Sequence, residues 1–191
     1  EEVMDYKQTL HMPQTDFEMR GNLAKKEPGI LKQWQQNNYY HEILKHHEGE
    51  KAFILHDGPP YANGNLHAGT AMNRVIKDFI VRSHAMSGYY TPFFPGWDTH
   101  GLPIENAIQK LGVNRKEMSS ADFRKKCEEY ARQQIAQQME TEKRLGQIAD
   151  YDYPYISLLP GFEARQVRTF GKMASEGMIF QGLKPVYWSP F

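Results

Sequence analysis

Read for the spacing of its apolar positions, the chain divides into segments of different period. Residues 1–30 show none: Pro13, Gly21, Pro28 and Gly29 break any long element, and the stretch reads as a weakly structured arm. "ILKQWQQNNYYHEILKH" (30–46) then repeats apolar residues at Ile30, Leu31, Trp34, Tyr39, Ile43 and Leu44, close to the spacing of one helix. "KAFILHD" (51–57) is a short apolar run between Gly49 and Gly58-Pro59-Pro60, the pattern of a buried strand that stops abruptly. From about Leu66 to Met86 the period is helical again. Met72, Val75, Ile76, Phe79 and Ile80 form a stripe expected to pack on a sheet. "YYTPFF" (89–94), ended by Pro95-Gly96, is a second strand. Strand, helix and strand in this order make a βαβ unit, so the fold class expected is α/β with a parallel sheet.

A long helix follows in "SSADFRKKCEEYARQQIAQQMETEKRLG" (119–146). It opens on a loose capping box, Ser119 and Asp122, carries a thin stripe of Phe123, Cys127, Tyr130 and Ile135, and stops at Gly146. A last helix is predicted over 160–176, ahead of strand-like "MIFQG" and "KPVYWSP".

The 191 residues leave room for one substantial domain or one and a half small ones. No apolar run is long enough to span a membrane, and the polar, acidic start carries no signal-peptide pattern. The one cysteine, Cys127, excludes an internal disulfide and reads as a semi-buried helix residue; it fits a reducing, cytoplasmic compartment. Lys+Arg and Asp+Glu both number 23, so charge neither supports nor excludes a nucleic-acid partner. His46, His47 and Glu48 make a poor metal site, because adjacent histidines point apart and no third ligand is suitably spaced.

Chemistry concentrates at the two strand ends, where ligands of open α/β sheets collect. The first strand delivers Gly58 to Asn65 to that place, and Gly64 and Gly69 allow close backbone approach. The helix that follows offers free N–H groups and a positive dipole end to a phosphate, with His67 as a donor in its first turn. The spacing is neither of the common phosphate-cradling loops. A plain cap at Asn65 and a surface role for His67 stay open beside the nucleotide reading. At the second strand end, Asp98 and His100 stand between Gly96 and Gly101, where a substrate's ammonium group could be held; a turn or cap role for Asp98 is the alternative.

"HDGPPYANGNLHAGT" (56–70) followed by "PGWDTHGLPIE" (95–105) resembles the N-terminal half of the catalytic domain of the class I isoleucyl-tRNA synthetases. The likeness runs from Met4 to Pro190 through "MRGNLAKKEPGILKQW", "DFRKKCEEYA" and "GLKPVYWSP". It implies a Rossmann-like sheet forming the first half of that domain (51–180), an N-terminal arm and helix before it (1–50), and the truncated start of the connective, editing insertion after it (181–191). It also implies ATP-dependent activation of isoleucine to isoleucyl-adenylate and transfer to tRNA(Ile), with ATP entering as its Mg2+ complex. The family signature His-x-Gly-His falls on His67, Ala68, Gly69 and Thr70, giving His67, Gly69 and Thr70 the catalytic positions. ATP would meet Asn63, Gly64, Asn65, His67, Gly69 and Asn73. The amino acid would meet Gly58, Pro59, Pro60, Tyr61, Asp98 and His100, with Asp98 on the α-ammonium. One methylene separates isoleucine from valine, a difference that binding alone discriminates weakly, and these enzymes are the known example; hence the separate editing site.

Three departures qualify the resemblance. Thr70 stands where the family has its second histidine; it keeps a donor but is shorter and carries no charge. "RLGQIADYDYPYIS" (144–157) has Gln147, Ile148 and Ala149 in a turn where the family has a glycine. The family's Lys-Met-Ser-Lys-Ser loop, editing domain, anticodon-binding helices and zinc-binding tail have no counterpart in these residues, and "KEMSS" (116–120) reads as a helix cap. The chain is therefore expected to be an N-terminal fragment. A catalytically impaired paralogue or an engineered miniature that binds isoleucine, adenylate or a partner is the alternative.

Overall fold

The computed structural model describes residues 6–12 and 14–189. Pro13, and Met4 and Pro190 at the ends of the resembling span, lie outside them. Six α-helices and two short strands follow one another as α1 (Leu23–Gln36), α2 (Tyr39–His46), α3 (Ala68–Met86), β1 (Gly96–Trp97), α4 (Leu102–Lys110), α5 (Ser120–Arg144), β2 (Tyr155–Ile156) and α6 (Pro160–Ser175). The single helix expected over 30–46 is two, because Asn38 takes a left-handed conformation at φ 49°. Asparagine tolerates that region better than most residues, and it resets the direction of the chain.

The parallel arrangement is present, though most of it is not continuous ladder. Residues 51–62 run beside 89–98, joined by the parallel bridges Ala52–Tyr90 and Tyr61–Asp98. The Phe53 N–H donates to the Tyr90 carbonyl at 2.9 Å, and the Asp98 N–H to the Pro60 carbonyl at 2.8 Å. The predicted strands at 51–57 and 89–94 carry no continuous ladder, and of 51–57, expected to be buried, only Asp57 is. Pro59, Pro60, Pro92 and Pro95 have no N–H to donate, so pairing resumes only past them. On the other side, β1 pairs in parallel with β2, Gly96 opposite Tyr155 and Trp97 opposite Ile156. Residues 89–98 are thus the middle of three parallel segments, with α3 and the α4–α5 pair as the crossovers.

At Gly96 the flanking segments approach closely on both sides. A Cβ there would stand 2.5 Å from Tyr155 Cδ1 and 3.3 Å from Pro59 Cβ, so only glycine fits without displacing a neighbour. Trp97 is fully buried with Ala62, Ile104, Ile108, Phe123, Ala131 and Ile135 under α4 and α5, and Val81, Phe93 and Ala149 form a smaller cluster under α3. α5 begins at the expected Ser119 cap, whose Oγ accepts the Asp122 N–H at 3.1 Å, in keeping with the reading of 116–120 as a cap. Cys127 is half-buried on α5, and burial raises its thiol pKa, which disfavours the thiolate.

Three expectations are reversed. Residues 23–30, read as part of a weakly structured arm, form the first turns of α1, which runs through Pro28 and Gly29. The stripe of α3 expected to face a sheet is open: Met72 is 63% and Phe79 65% exposed, with Ile76 and Ile80 also exposed. The face that α3 buries carries Arg74, Val81 and Ala85, on the opposite side of the helix. Its polar members are tied to the segment ends, so hydrogen bonds and charge pairs decide which face turns inward. The strand-like residues near the C-terminus take no strand among those described, because no neighbouring segment supplies a ladder; 178–189 form no regular element and are largely exposed. None of the described helices is long and apolar enough to cross a membrane.

Candidate functional site

The N-terminus of α3 faces a cleft of about 270 Å³ lined by Gly58, Pro60, His67, Gly69, Thr70, Asn73 and Arg74. Six of those seven are sequence-predicted site residues, drawn together because Gly58–Pro60 ends one parallel segment just as α3 begins. The cap of α3 is His67, not Asn65. The His67 Nδ1 accepts the Thr70 N–H at 3.2 Å, and its Nε2 lies 3.2 Å from the Thr70 hydroxyl. Both ring nitrogens therefore meet the same threonine, and the ring folds over the first turn. Capping and ligand contact are not exclusive here, since the first-turn N–H groups remain available at a positive helix end.

The other candidates spread around this cleft. Tyr61 is half exposed and lies beside Asp98 through the parallel bridge. The Asp98 carboxylate is half-buried, accepts the His100 N–H at 3.3 Å, and meets no cationic side chain among the described residues. His100 turns away from Asp98: its Nε2 is 3.1 Å from the Ser157 carbonyl and 3.4 Å from Glu163. Pro59 stands against Gly96. Gly64 and Asn65 are held by α5, with Gln138 Nε2 donating to the Gly64 carbonyl and Gln137 Nε2 to Asn65 Oδ1, each at 2.6 Å. Asn63 faces a separate cleft against α4, with Pro103, Asn106 and Tyr130. Among the described residues no group of three His, Cys, Asp or Glu could hold a metal ion.

Beneath the cleft lies a charge network that spacing alone did not reveal. Asp57, 2% exposed, accepts from Arg74, from Lys77 Nζ at 2.6 Å and from the Gly96 N–H at 2.7 Å. Arg74, 1% exposed, also donates from Nη2 to the Gly96 carbonyl at 3.1 Å. Its Nε stands 2.8 Å from Glu142 Oε1, a charge contact without good hydrogen-bond alignment, so both Glu142 oxygens are buried without a hydrogen bond. The signal was present in the sequence as Asp57 closing an apolar run, and as Arg74 and Lys77 three apart on the helix face away from the apolar stripe. Gln138 completes the support: its Oε1 accepts from Trp97 Nε1 at 3.0 Å, and its Nε2 also reaches the Tyr61 carbonyl.

Burial raises the Glu142 pKa from its ordinary 4.5 to about 7; Arg74 opposes the shift, Asp57 adds to it and Lys77 again opposes it. The half-buried Tyr151 is a further titratable neighbour, its pKa raised by burial and then by Glu142. The folded chain thus holds the Glu142 proton more tightly than the unfolded one. That contribution to stability is complete below the unfolded carboxyl pKa and is lost as pH rises through about 7. We expect the unfolding midpoint of the parent to fall, relative to Glu142→Gln, between about pH 4.5 and about pH 8. Parallel thermal melts of the two proteins across that range check it; identical pH slopes would contradict a titrating Glu142.

A parallel α/β arrangement with a histidine-capped helix facing the ends of two adjoining segments places the molecule among the Rossmann-like α/β folds. Residues 29–191 match the family of tRNA synthetases class I (I, L, M and V), and the chain belongs to that family. Among curated proteins, the isoleucine–tRNA ligase of Staphylococcus carnosus (strain TM300) is 60% identical over 187 residues, covering 98% of this chain and 20% of that protein. The isoleucine–tRNA ligase of Staphylococcus aureus (strain JH9) is 58% identical over the same extent. The chain spans about a fifth of the length of these relatives. Among solved structures, the LeuRS of Agrobacterium radiobacter K84 agnB2, crystallised as a ternary complex with tRNA and LeuAMS, superposes with a TM-score of 0.68. It is 21% identical and the match covers 84% of this chain and 19% of that one, a likeness of fold.

Proposed function

We propose that this chain is the first half of the catalytic domain of an isoleucine–tRNA ligase, which activates isoleucine with ATP to isoleucyl-adenylate and transfers it to tRNA(Ile). The observation that carries this reading is the cleft at the start of α3, which gathers Gly58, Pro60, His67, Gly69, Thr70 and Asn73 at a positive helix end. The 60% identity to the Staphylococcus carnosus ligase supports the choice of isoleucine. In this reading residues 51–180 form the nucleotide-binding half, 1–50 the arm and helices before it, and 181–191 the start of the editing insertion.

The roles follow from the chemistry of each position. ATP, brought in as its Mg2+ complex, lays its phosphates over the first turn of α3, where backbone N–H groups, Gly69 and the His67 ring receive them. Asn73 lies one turn further on and bonds the nucleotide, with Asn63, Gly64 and Asn65 on the adjoining loop. Isoleucine sits against Gly58, Pro59, Pro60 and Tyr61. Asp98, which meets no protein cation, holds the α-ammonium, and His100 closes that end through Ser157 and Glu163. The isoleucine carboxylate then attacks the α-phosphate, pyrophosphate leaves, and donors at positions 67 and 70 stabilise the charge that develops.

The test is isoleucine-dependent ATP–pyrophosphate exchange in a chimera whose matching fifth, in the Staphylococcus carnosus ligase, is replaced by these residues. Exchange that requires isoleucine is the expected result. A folded chimera that neither exchanges nor binds a non-hydrolysable isoleucyl-adenylate analogue would refute the reading. Binding without exchange would favour a catalytically impaired binding module instead, which Thr70 is the residue to explain.

A further inference from the structure

We infer that Asp57, Arg74 and Glu142 are positioning residues for adenylate formation, holding the Gly58–Tyr61 and Gly96–Asp98 walls at a fixed spacing beneath the first turn of α3. This rests on the function proposed above.

The geometry is a clamp on one peptide. Asp57 receives the Gly96 N–H at 2.7 Å while Arg74 donates to the Gly96 carbonyl at 3.1 Å, and the two side chains bond each other. Asp57 directly precedes Gly58, Gly96 is two residues before Asp98, and Arg74 lies two turns after His67 and lines the same cleft. One guanidinium therefore reaches all three walls of the proposed site. Lys77 adds a second tie from α3, bonding Asp57 at 2.6 Å. The prolines on both segments explain the need: Pro59, Pro60 and Pro95 cannot donate to a ladder, so backbone pairing ties these walls only at the Tyr61–Asp98 end, and the clamp ties them at the Gly58–Gly96 end.

Glu142 completes the arrangement from α5. Arg74 and Lys77 face Asp57 alone without it; Glu142, fully buried, stands 2.8 Å from the third arginine nitrogen. Arg74 also lies against the Trp97 ring, 6.0 Å from its centroid, which restricts the guanidinium plane. A cluster of three buried charged groups, with Lys77 half-buried at its edge, is a poor way to stabilise a fold, since well-packed apolar residues commonly do as well or better. Its value lies in direction, because each bond fixes an angle as well as a distance.

The experiment compares Arg74→Lys and Glu142→Gln with the parent chimera. Three readouts are taken: cooperative melting, the separate kcat and KM of isoleucine-dependent exchange, and affinity for the isoleucyl-adenylate analogue. Lysine keeps the charge but cannot make both hydrogen bonds and the Glu142 contact at once, and glutamine keeps the shape of Glu142 while removing its charge. With melting still cooperative, Arg74→Lys is expected to lower kcat by about 10²-fold, as misplacement by an ångström does, with both KM values within about threefold. Glu142→Gln, the milder change, is expected to lower kcat by about tenfold in the same pattern. Full kcat per folded molecule in both variants would overturn the inference and leave the network as structural. Should Arg74→Lys not fold, Glu142→Gln decides alone. A parent chimera silent in exchange and in analogue binding would remove the proposed function, and this inference with it.

Discussion

Thr70→His is expected to raise isoleucine-dependent exchange by about 10²–10³-fold, the usual worth of one aligned donor to a developing oxyanion. Threonine at this position faces His67 rather than reaching outward: its N–H and hydroxyl are each 3.2 Å from a different nitrogen of that ring. Histidine at position 70 adds a longer side chain that can carry positive charge, and it releases Nε2 of His67 from the hydroxyl. Position 70 lies in the first turn of α3 and Thr70 is half-exposed, so the change should move stability by no more than about 0.5 kcal/mol. Thr70→Val serves as the control, because it frees His67 without adding a donor. A rise with valine as large as with histidine would assign the effect to His67 alone. No rise with either would remove position 70 from the reacting centre. The readout is kcat, since a contact made only in the transition state leaves KM nearly unchanged.

Asp98→Ala is expected to weaken isoleucine binding by about 30-fold or more, as when a partly buried charge pair loses one member. The fold should survive. What anchors residue 98 is its backbone, whose N–H donates to Pro60 at 2.8 Å and whose carbonyl accepts from Ala62 at 2.9 Å, and alanine keeps both. The one intramolecular bond lost is the 3.3 Å turn bond to the His100 N–H. Asp98→Asn separates charge from shape: it retains the turn bond and loses the attraction for an ammonium group. Titration calorimetry with isoleucine, run beside the adenylate analogue, measures both. Unchanged affinity in the alanine variant would sink the assignment of Asp98, and equal loss in both variants would identify charge as the cause.

Much of the fold was legible because punctuation and period agree in this sequence. The long helices at 68–86 and 120–144 and the final helix begin and end within a few residues of where capping residues and glycines set them. The order of elements implied a parallel α/β unit, and the pairings of Tyr90 with Ala52 and of Gly96 with Tyr155 are parallel. Ladder continuity was not legible, since an apolar run suggests a strand whether or not prolines in the neighbouring segment deny it partners. Nor was the inward face of α3. Periodicity assigns apolar residues to the interior, whereas Arg74 is buried here because Asp57, Glu142 and the Gly96 carbonyl meet it from three other segments. For the site, motif spacing found the residues at the segment ends. Those that support them from beneath, Asp57, Arg74, Gln138 and Glu142, act through partners distant in sequence, which local spacing does not reveal.

The Gly96 clamp also bears on the order in which the chain folds. Helices α3 and α5 close through local contacts and can form on the microsecond scale. The clamp joins positions 57, 74, 96 and 142, so it must wait for chain closures spanning much of the sequence, whose entropy is lost before any bond is gained. Desolvating three charged groups before their partners arrive would be costly, which places their convergence near the end of folding. Substitutions in the clamp should accordingly speed unfolding far more than they slow folding, and the cleft at the head of α3 would be the last part of the molecule to take shape.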